Sequence, residues 1–325
     1  MISERKHWVD FAKVYGIFLV VLGHFTPDYK ETYSAQVLYS FHLPLFFIIS
    51  GYLNNPKKLP VFCQILNICK RLLVPYLLLI AIGFGLENSL TGGGQIINLK
   101  WLVGIVVGRP YGVVSPMWFV HALMIIKIAS VLHEWLKKHV ISLYSFIWVV
   151  LLLFYVYIAL TKKTFLPTYM CSILVAYPFF VFGGLVKKIE IMYDALPKFW
   201  RRSIIVMLAT VPFIAVHFNG FVDLFLNIFG CNIVLYYVFG ILASIGVLLA
   251  CRQYLNKPSK IIETLSNGTI LIVAFHRIFL YFVSDFIDVF FIRFLLSIAI
   301  VLCFYFPIVI CEKYCPVIIG KKRKQ

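Results

Sequence analysis

Acidic side chains are scarce in this chain. Only 13 Asp and Glu stand against 30 Lys and Arg in 325 residues, and charged residues make up 13% of the whole. A soluble protein of this length carries about 25% charge, and no polar stretch here is long enough to form a soluble domain. The eight cysteines are scattered singly with no C-x-x-C, which gives neither a disulfide framework nor a zinc signature. No phosphate-binding loop, glycine-rich dinucleotide fingerprint or serine nucleophile elbow occurs at a suitable place. The one glycine run, "TGGGQ", lacks the Lys-Ser or Lys-Thr and the following helix that phosphate binding needs, so it reads as a loop. No small-x-small cleavage site follows His24, so the N-terminal apolar run is expected to be an uncleaved first span rather than a signal peptide. No internal repeat is visible, and with it the inverted-repeat signature of many secondary transporters is missing.

Hydrophobic residues, by contrast, make up 62% of the chain, 31 of them phenylalanine. Runs long enough to cross about 30 Å of hydrocarbon fall near residues 9–26, 36–53, 72–90, 117–133, 141–160, 168–186, 203–218, 232–251, 266–283 and 289–311. The sequence therefore predicts an all-α polytopic membrane bundle of about ten transmembrane helices. It forms a single membrane-embedded domain over residues 1–325 and closes on a short basic tail at 312–325. The apolar stretch "LKWLVGIVVG" (99–108) is too short to span and reads as re-entrant or interfacial. Placing the N-terminus inside puts 22 of the 30 basic residues on the inner side and five outside, which predicts both termini to be cytoplasmic. The excess of positive charge is explained by this asymmetry, without a nucleic-acid partner.

With that orientation, four histidines from four spans fall in the outer half of the bilayer: His24, His42, His121 and His276. Polar groups at that depth are costly and face a cavity or a partner. His121 and His217 read simply as interfacial hydrogen-bonding residues. Lys13 and His24 lie eleven residues apart on the first span; at about 100° per residue they share one helix face, about 16 Å apart. Pro44, two residues after His42, either begins the second helix or, if that helix starts at Gln36, frees the Ser40 carbonyl and bends the chain. Arg277, beside His276, carries a charge it cannot lose and needs an acceptor, for which Glu87 is a candidate. On the inner side Asp10 and Lys13, three apart, are placed to pair. Lys57 and Lys58 read as anchoring cations, while Lys70 and Arg71 lead directly into the third span and suit an anionic cytosolic donor. Trp118 offers a flat face for a sugar ring, or serves as an ordinary belt tryptophan. The histidines sit on separate helices, and no metal site is expected.

Six stretches, "WVDFAKVYGIFLVVLGHF", "YSFHLPLFFIISGYL", "CKRLLVPYLL", "MWFVHALMIIKI", "FFVFGGLVKK" and "LSNGTILIVAFHRIF", occur in that order. They resemble the landmarks of the integral-membrane acyltransferase 3 family, in the manner of fucose 4-O-acetylase-like acetyltransferases. The most specific are the basic residue, ten intervening residues and histidine (Lys13, His24) and the "FH-x-PLFF-x-x-SG" block from Phe41 to Gly51. The resemblance implies a membrane enzyme moving an acyl group, commonly acetyl, from cytosolic acyl-CoA to a sugar hydroxyl of a cell-surface or lipid-linked glycan. It makes His24 the essential histidine and Lys13 its basic partner. The family's two arginines spaced three apart at the third span are matched only loosely by the adjacent Lys70 and Arg71.

The expected mechanism follows. Lys13, Lys70 and Arg71 hold the CoA phosphates, the pantetheine arm runs up the first helix, and His24 acts as general base or as acyl-carrying nucleophile, the base being favoured. His42 orients His24, binds the acceptor or stabilises the oxyanion, and Glu87, Trp118, His276 and Arg277 make up the acceptor side. No permanently bound cofactor is expected; acetyl-CoA or another acyl-CoA is a co-substrate, membrane lipids surround the bundle, and a plasma-membrane location is implied. The chief rival is a transporter or flippase for a sugar or glycan intermediate.

Overall fold

A computed structural model describes residues 5–26, 28–54, 59–92, 97–163, 166–283 and 289–321. Lys57, Lys58, the centre of the "TGGGQ" loop and the basic tail beyond Lys321 lie outside them. The protein is an all-α polytopic membrane bundle. Its strands, among the described residues, are the two-residue pair Val222–Asp223 and Ile228–Phe229.

Among the described residues eight helices are long and apolar enough to cross a membrane, or nine if the bent pair Lys260–Asn267 and Thr269–Phe282, which turns by 61°, counts as one span. The first expected span is the 18-residue helix His7–His24. It is less apolar than the others because Asp10, Lys13 and two terminal histidines interrupt it. All ten expected segments are therefore helical. The Leu99–Val106 helix has only 8 residues, about 12 Å of rise, too short to span. Apolar side chains face outward on the long helices; Leu160, for example, is 79% exposed. In a bilayer these are the surfaces that lipid covers, while the backbone bonds itself internally.

The described chain forms two compact units. One contains Met1–Thr32, Cys69–Met124 and Cys251–Gln325; the other contains Tyr33–Ile68 and Ile125–Ala250. In the first unit, His7–His24 packs against Lys260–Asn267, Thr269–Phe275 and Phe290–Cys303. Val74–Leu90 packs against the 3-10 segment Gly112–Met117 and against Thr269–Phe275. Ser259 caps Lys260–Asn267 through the Ile262 amide, and the chain bends at Gly268. A β-carbon there would sit 2.3 Å from Cγ1 of Ile308.

In the second unit, the expected second span is two helices, Tyr33–Tyr39 and His42–Tyr52, separated at Ser40 and Phe41. Pro44 lies in the first turn of the later helix, where its missing N–H has no intrahelical partner to lose. The break lies at the Ser40 carbonyl, the group that Pro44 leaves without its i+4 donor. His42–Tyr52 lies along Thr168–Gly183 in a close helix pair. All eight cysteines are free, with Cys171 and Cys251 buried.

Candidate active site

The first helix carries polar groups at both ends. At its N-terminal end Asp10, almost fully buried, receives Arg5 Nε on Oδ2 at 2.7 Å and Ser266 Oγ on Oδ1 at 2.5 Å. Lys13 Nζ donates to the Ser266 carbonyl at 2.7 Å. The expected Asp10 to Lys13 pair is thus replaced by a shared docking of both residues on Ser266. The reason is tertiary: the Lys260–Asn267 helix offers a hydroxyl and a carbonyl at one point, and Arg5 folds back to neutralise the carboxylate. The same partnership raises the Arg5 pKa above its ordinary value, through its hydrogen bond to Asp10 foremost.

Further cations collect at this end. Lys321 pairs with Glu312 at 2.6 Å, and Glu312 also accepts from Asn267 at 2.9 Å; Lys321 lies within electrostatic range of Lys13. Lys70 and Arg71, both exposed, sit in a π-helical turn, Cys69–Leu73, at the start of the third span. Gly320 packs on the Arg71 carbonyl with a φ of 70°, which brings the segment carrying Lys321 to that turn. Arg5 and Lys321 were not singled out from sequence, since both sit outside any motif and read as flanking charge.

At the other end of the helix His24 is exposed, with its ring centroid 5.1 Å from that of His276. His276 has no exposed surface. Its Nδ1–H donates to the Ile272 carbonyl at 2.8 Å, and its Nε2 has no hydrogen-bond partner.

The other residues expected on the acceptor side meet on one segment. Arg277 Nη1 donates to the Gly112 carbonyl at 3.1 Å and, in a short contact, to Ser115 Oγ. The buried Glu87 accepts from the Val113 amide at 3.2 Å and from the Tyr281 hydroxyl at 3.2 Å. Arg277 and Glu87 therefore do not hydrogen-bond each other as expected; together they grip Gly112–Met117, and half-buried Trp118 follows immediately at the start of its helix. His121, expected at an interface, is buried in this unit. It bonds the Val106 backbone while Tyr76 donates to the Ile105 carbonyl at 2.8 Å. Between them they satisfy end carbonyls that the short Leu99–Val106 helix leaves open.

His42 belongs to the second unit, 6% exposed, with its Nδ1–H on the Leu38 carbonyl at 2.9 Å and its ring 4.9 Å from Tyr39. Its Nε2 is thereby the lone-pair nitrogen. Among the described residues no three His, Cys, Asp or Glu side chains converge as metal ligands.

Gly112 is the weak point of the gripped segment. Its φ is 69°, and a β-carbon there would meet Glu87 Oε2 at 1.9 Å. Gly92, with φ 76°, has nothing within 4 Å. Gly112→Ala is expected to destabilise by about 2 kcal/mol or more, and Gly92→Ala by about 1. Thermal unfolding of the two solubilised variants measures the difference; equal melting temperatures would refute the Glu87 contact.

An exposed imidazole beside a second one thus stands at one end of the first helix, and clustered cations stand at the other. The chain belongs to the acyltransferase 3 family: residues 6–311 match the family model described as an acyltransferase domain. No curated protein and no solved structure matches it. The protein is a multi-pass membrane acyltransferase.

Proposed function

We propose that this acyltransferase is an O-acetyltransferase of the plasma membrane, taking an acetyl group from cytosolic acetyl-CoA and passing it to a sugar hydroxyl of a cell-surface or lipid-linked glycan. The observation that carries this reading is the first helix itself. Lys13 stands in a cluster with Arg5 and Lys321 at one end, and exposed His24 stands at the other, about 16 Å along. Acyl-CoA is polyanionic at one end and reactive at the far end of a long pantetheine arm. The basic end, with exposed Lys70 and Arg71, suits the phosphates; the imidazole end suits the thioester.

In the proposed reaction a nitrogen of His24 takes the proton of the sugar hydroxyl as that oxygen attacks the thioester carbonyl. The carbon-sulfur bond of the tetrahedral intermediate then breaks, and the departing thiolate recovers the proton from the imidazolium. The products are acetyl ester and free CoA thiol. Arg277, Glu87 and Trp118 serve the acceptor side, Arg277 and Glu87 by holding the Gly112–Met117 segment that presents Trp118.

The test is glycan mass spectrometry on a deletion strain, with and without the wild-type gene. Loss of acetyl from the glycan in the deletion, restored by the gene, is expected; unchanged acetylation sinks the reading. A transporter of an unmodified sugar would need no acetyl-CoA. In purified protein Lys13→Ala is expected to raise KM for acetyl-CoA on the order of tenfold or more, the worth of a charge-assisted hydrogen bond, with kcat far less affected. Lys13→Arg retains most of the affinity. Steady-state kinetics at varied acetyl-CoA decides it, and an unchanged KM removes Lys13 from the donor site.

A further inference from the structure

We propose that His276 is the positioning residue of His24: its Nε2 accepts an N–H from the His24 ring and so selects the nitrogen that His24 presents as base. The inference rests on the proposed acyl-transfer chemistry for its kinetic consequence, but its geometry stands apart from it.

Three observations lead there. First, the tautomer of neutral His276 is set by its surroundings. Nδ1 lies 2.8 Å from the Ile272 carbonyl; a carbonyl only accepts, so Nδ1 carries the hydrogen and Nε2 the lone pair. Second, that lone pair is buried, in a residue with no exposed surface, and has no hydrogen-bond partner. A buried acceptor without a donor is costly, so the arrangement calls for one. Third, the aromatic neighbour is the His24 ring, with centroids 5.1 Å apart and planes 44° from each other. An edge-to-edge N–H···N bond of about 2.9 Å between two imidazoles would set their centroids roughly 5 Å apart. The spacing is already that of a bonded pair. His276 is held at the start of the 3-10 segment His276–Phe279, whereas His24 ends its helix and is exposed.

The consequence is a division of labour. One His24 nitrogen donates to His276; the other, with its lone pair directed away, meets the hydroxyl. When that lone pair takes a proton, the imidazolium keeps its hydrogen bond to His276, whose neutral lone pair stabilises the new charge. No proton has to pass to His276, which is returned unchanged.

Two variants and two readouts test this. His276→Leu removes the acceptor, while His276→Gln places Oε1 near the position of Nε2 and keeps one. In full-length protein in nanodiscs, His276→Leu is expected to lower kcat for acetyl transfer on the order of 10- to 100-fold with KM for acetyl-CoA unchanged, and His276→Gln to restore it to within about threefold. Nitrogen-15 spectra of the imidazoles are expected to show His24 as one dominant tautomer in the wild type and His276→Gln, and as a mixture in His276→Leu. A wild-type kcat in His276→Leu, or a His24 nitrogen pattern unchanged by it, overturns the pair. Equal losses in both variants overturn it too, since a packing role would not be rescued by glutamine. The nitrogen pattern decides the pairing whether or not acetyl-CoA proves to be the donor.

Discussion

His24→Ala is expected to reduce acetyl transfer to background while leaving the protein folded and able to bind acetyl-CoA. The fold survives because the side chain is exposed at the end of its helix and the core of the first unit is made elsewhere, by Trp8, Ile17, Leu22 and their neighbours. Binding survives because the donor's charges are proposed to be met at the opposite end, near Lys13. Loss of a general base alone costs about 10²- to 10⁴-fold, and alanine offers no substitute. Labelled acetyl-CoA supplied to proteoliposomes measures the transfer, and KM for the donor reports whether binding is intact. Transfer at the wild-type rate by His24→Ala would remove His24 from the chemistry.

The same preparation separates the two roles open to the imidazole. As base, His24 never carries the acetyl group, so wild-type protein incubated with labelled acetyl-CoA without acceptor keeps no label after rapid quenching. As nucleophile it forms an acetyl-imidazole, and label stays with the protein until acceptor is added. The pairing with His276 serves either role, because it dedicates one nitrogen to a hydrogen bond and leaves the lone pair of the other to take a proton or to attack the thioester.

The transmembrane plan was legible because lipid demands long apolar runs, and these run uninterrupted enough to be counted. Local breaks were less so. The separation at Ser40 and Phe41, the bend at Gly268 and the π-turn at Cys69–Leu73 leave the apolar run intact, so composition does not register them. The spacing of Lys13 and His24 could be read because both lie on one helix, whose period is fixed. Partnerships between helices could not. Asp10 had an i+3 lysine beside it, yet its oxygens go to Arg5 and Ser266. Glu87 and Arg277 have opposite charge, yet each satisfies itself on the backbone or side chains of Gly112–Met117 and its neighbours. The approach of His276 to His24 joins opposite ends of the chain, and no periodicity encodes it. In each case the deciding partner is a backbone group or a remote side chain, supplied only when the helices pack.

Gly51→Ala is expected to destabilise the second unit by about 3 kcal/mol or more, and Gly51→Leu to prevent accumulation of folded protein. A β-carbon on Gly51 would stand 1.8 Å from the Phe180 carbonyl oxygen and 3.2 Å from Cα of Gly183. Across the same contact a β-carbon on Gly183 would stand 2.2 Å from the Ile48 carbonyl oxygen. Both obstructions are backbone, so no side chain can swing aside; the helices His42–Tyr52 and Thr168–Gly183 must move apart. Lipid supplies no hydrophobic force to hold them together once separated, because association in the bilayer rests on close packing of small residues. Overpacking a tight core costs about 1–3 kcal/mol and more when the backbone must shift. Gly85 is the control: nothing lies within 4 Å of its β-position, so Gly85→Ala is expected to be neutral or slightly stabilising through helix propensity. Thermal unfolding in detergent compares the two alanine variants. If Gly51→Ala melts with the wild type, the two glycines are not in contact, and the close helix pair that carries the "FH-x-PLFF-x-x-SG" and "FFVFGG" blocks is held by something else.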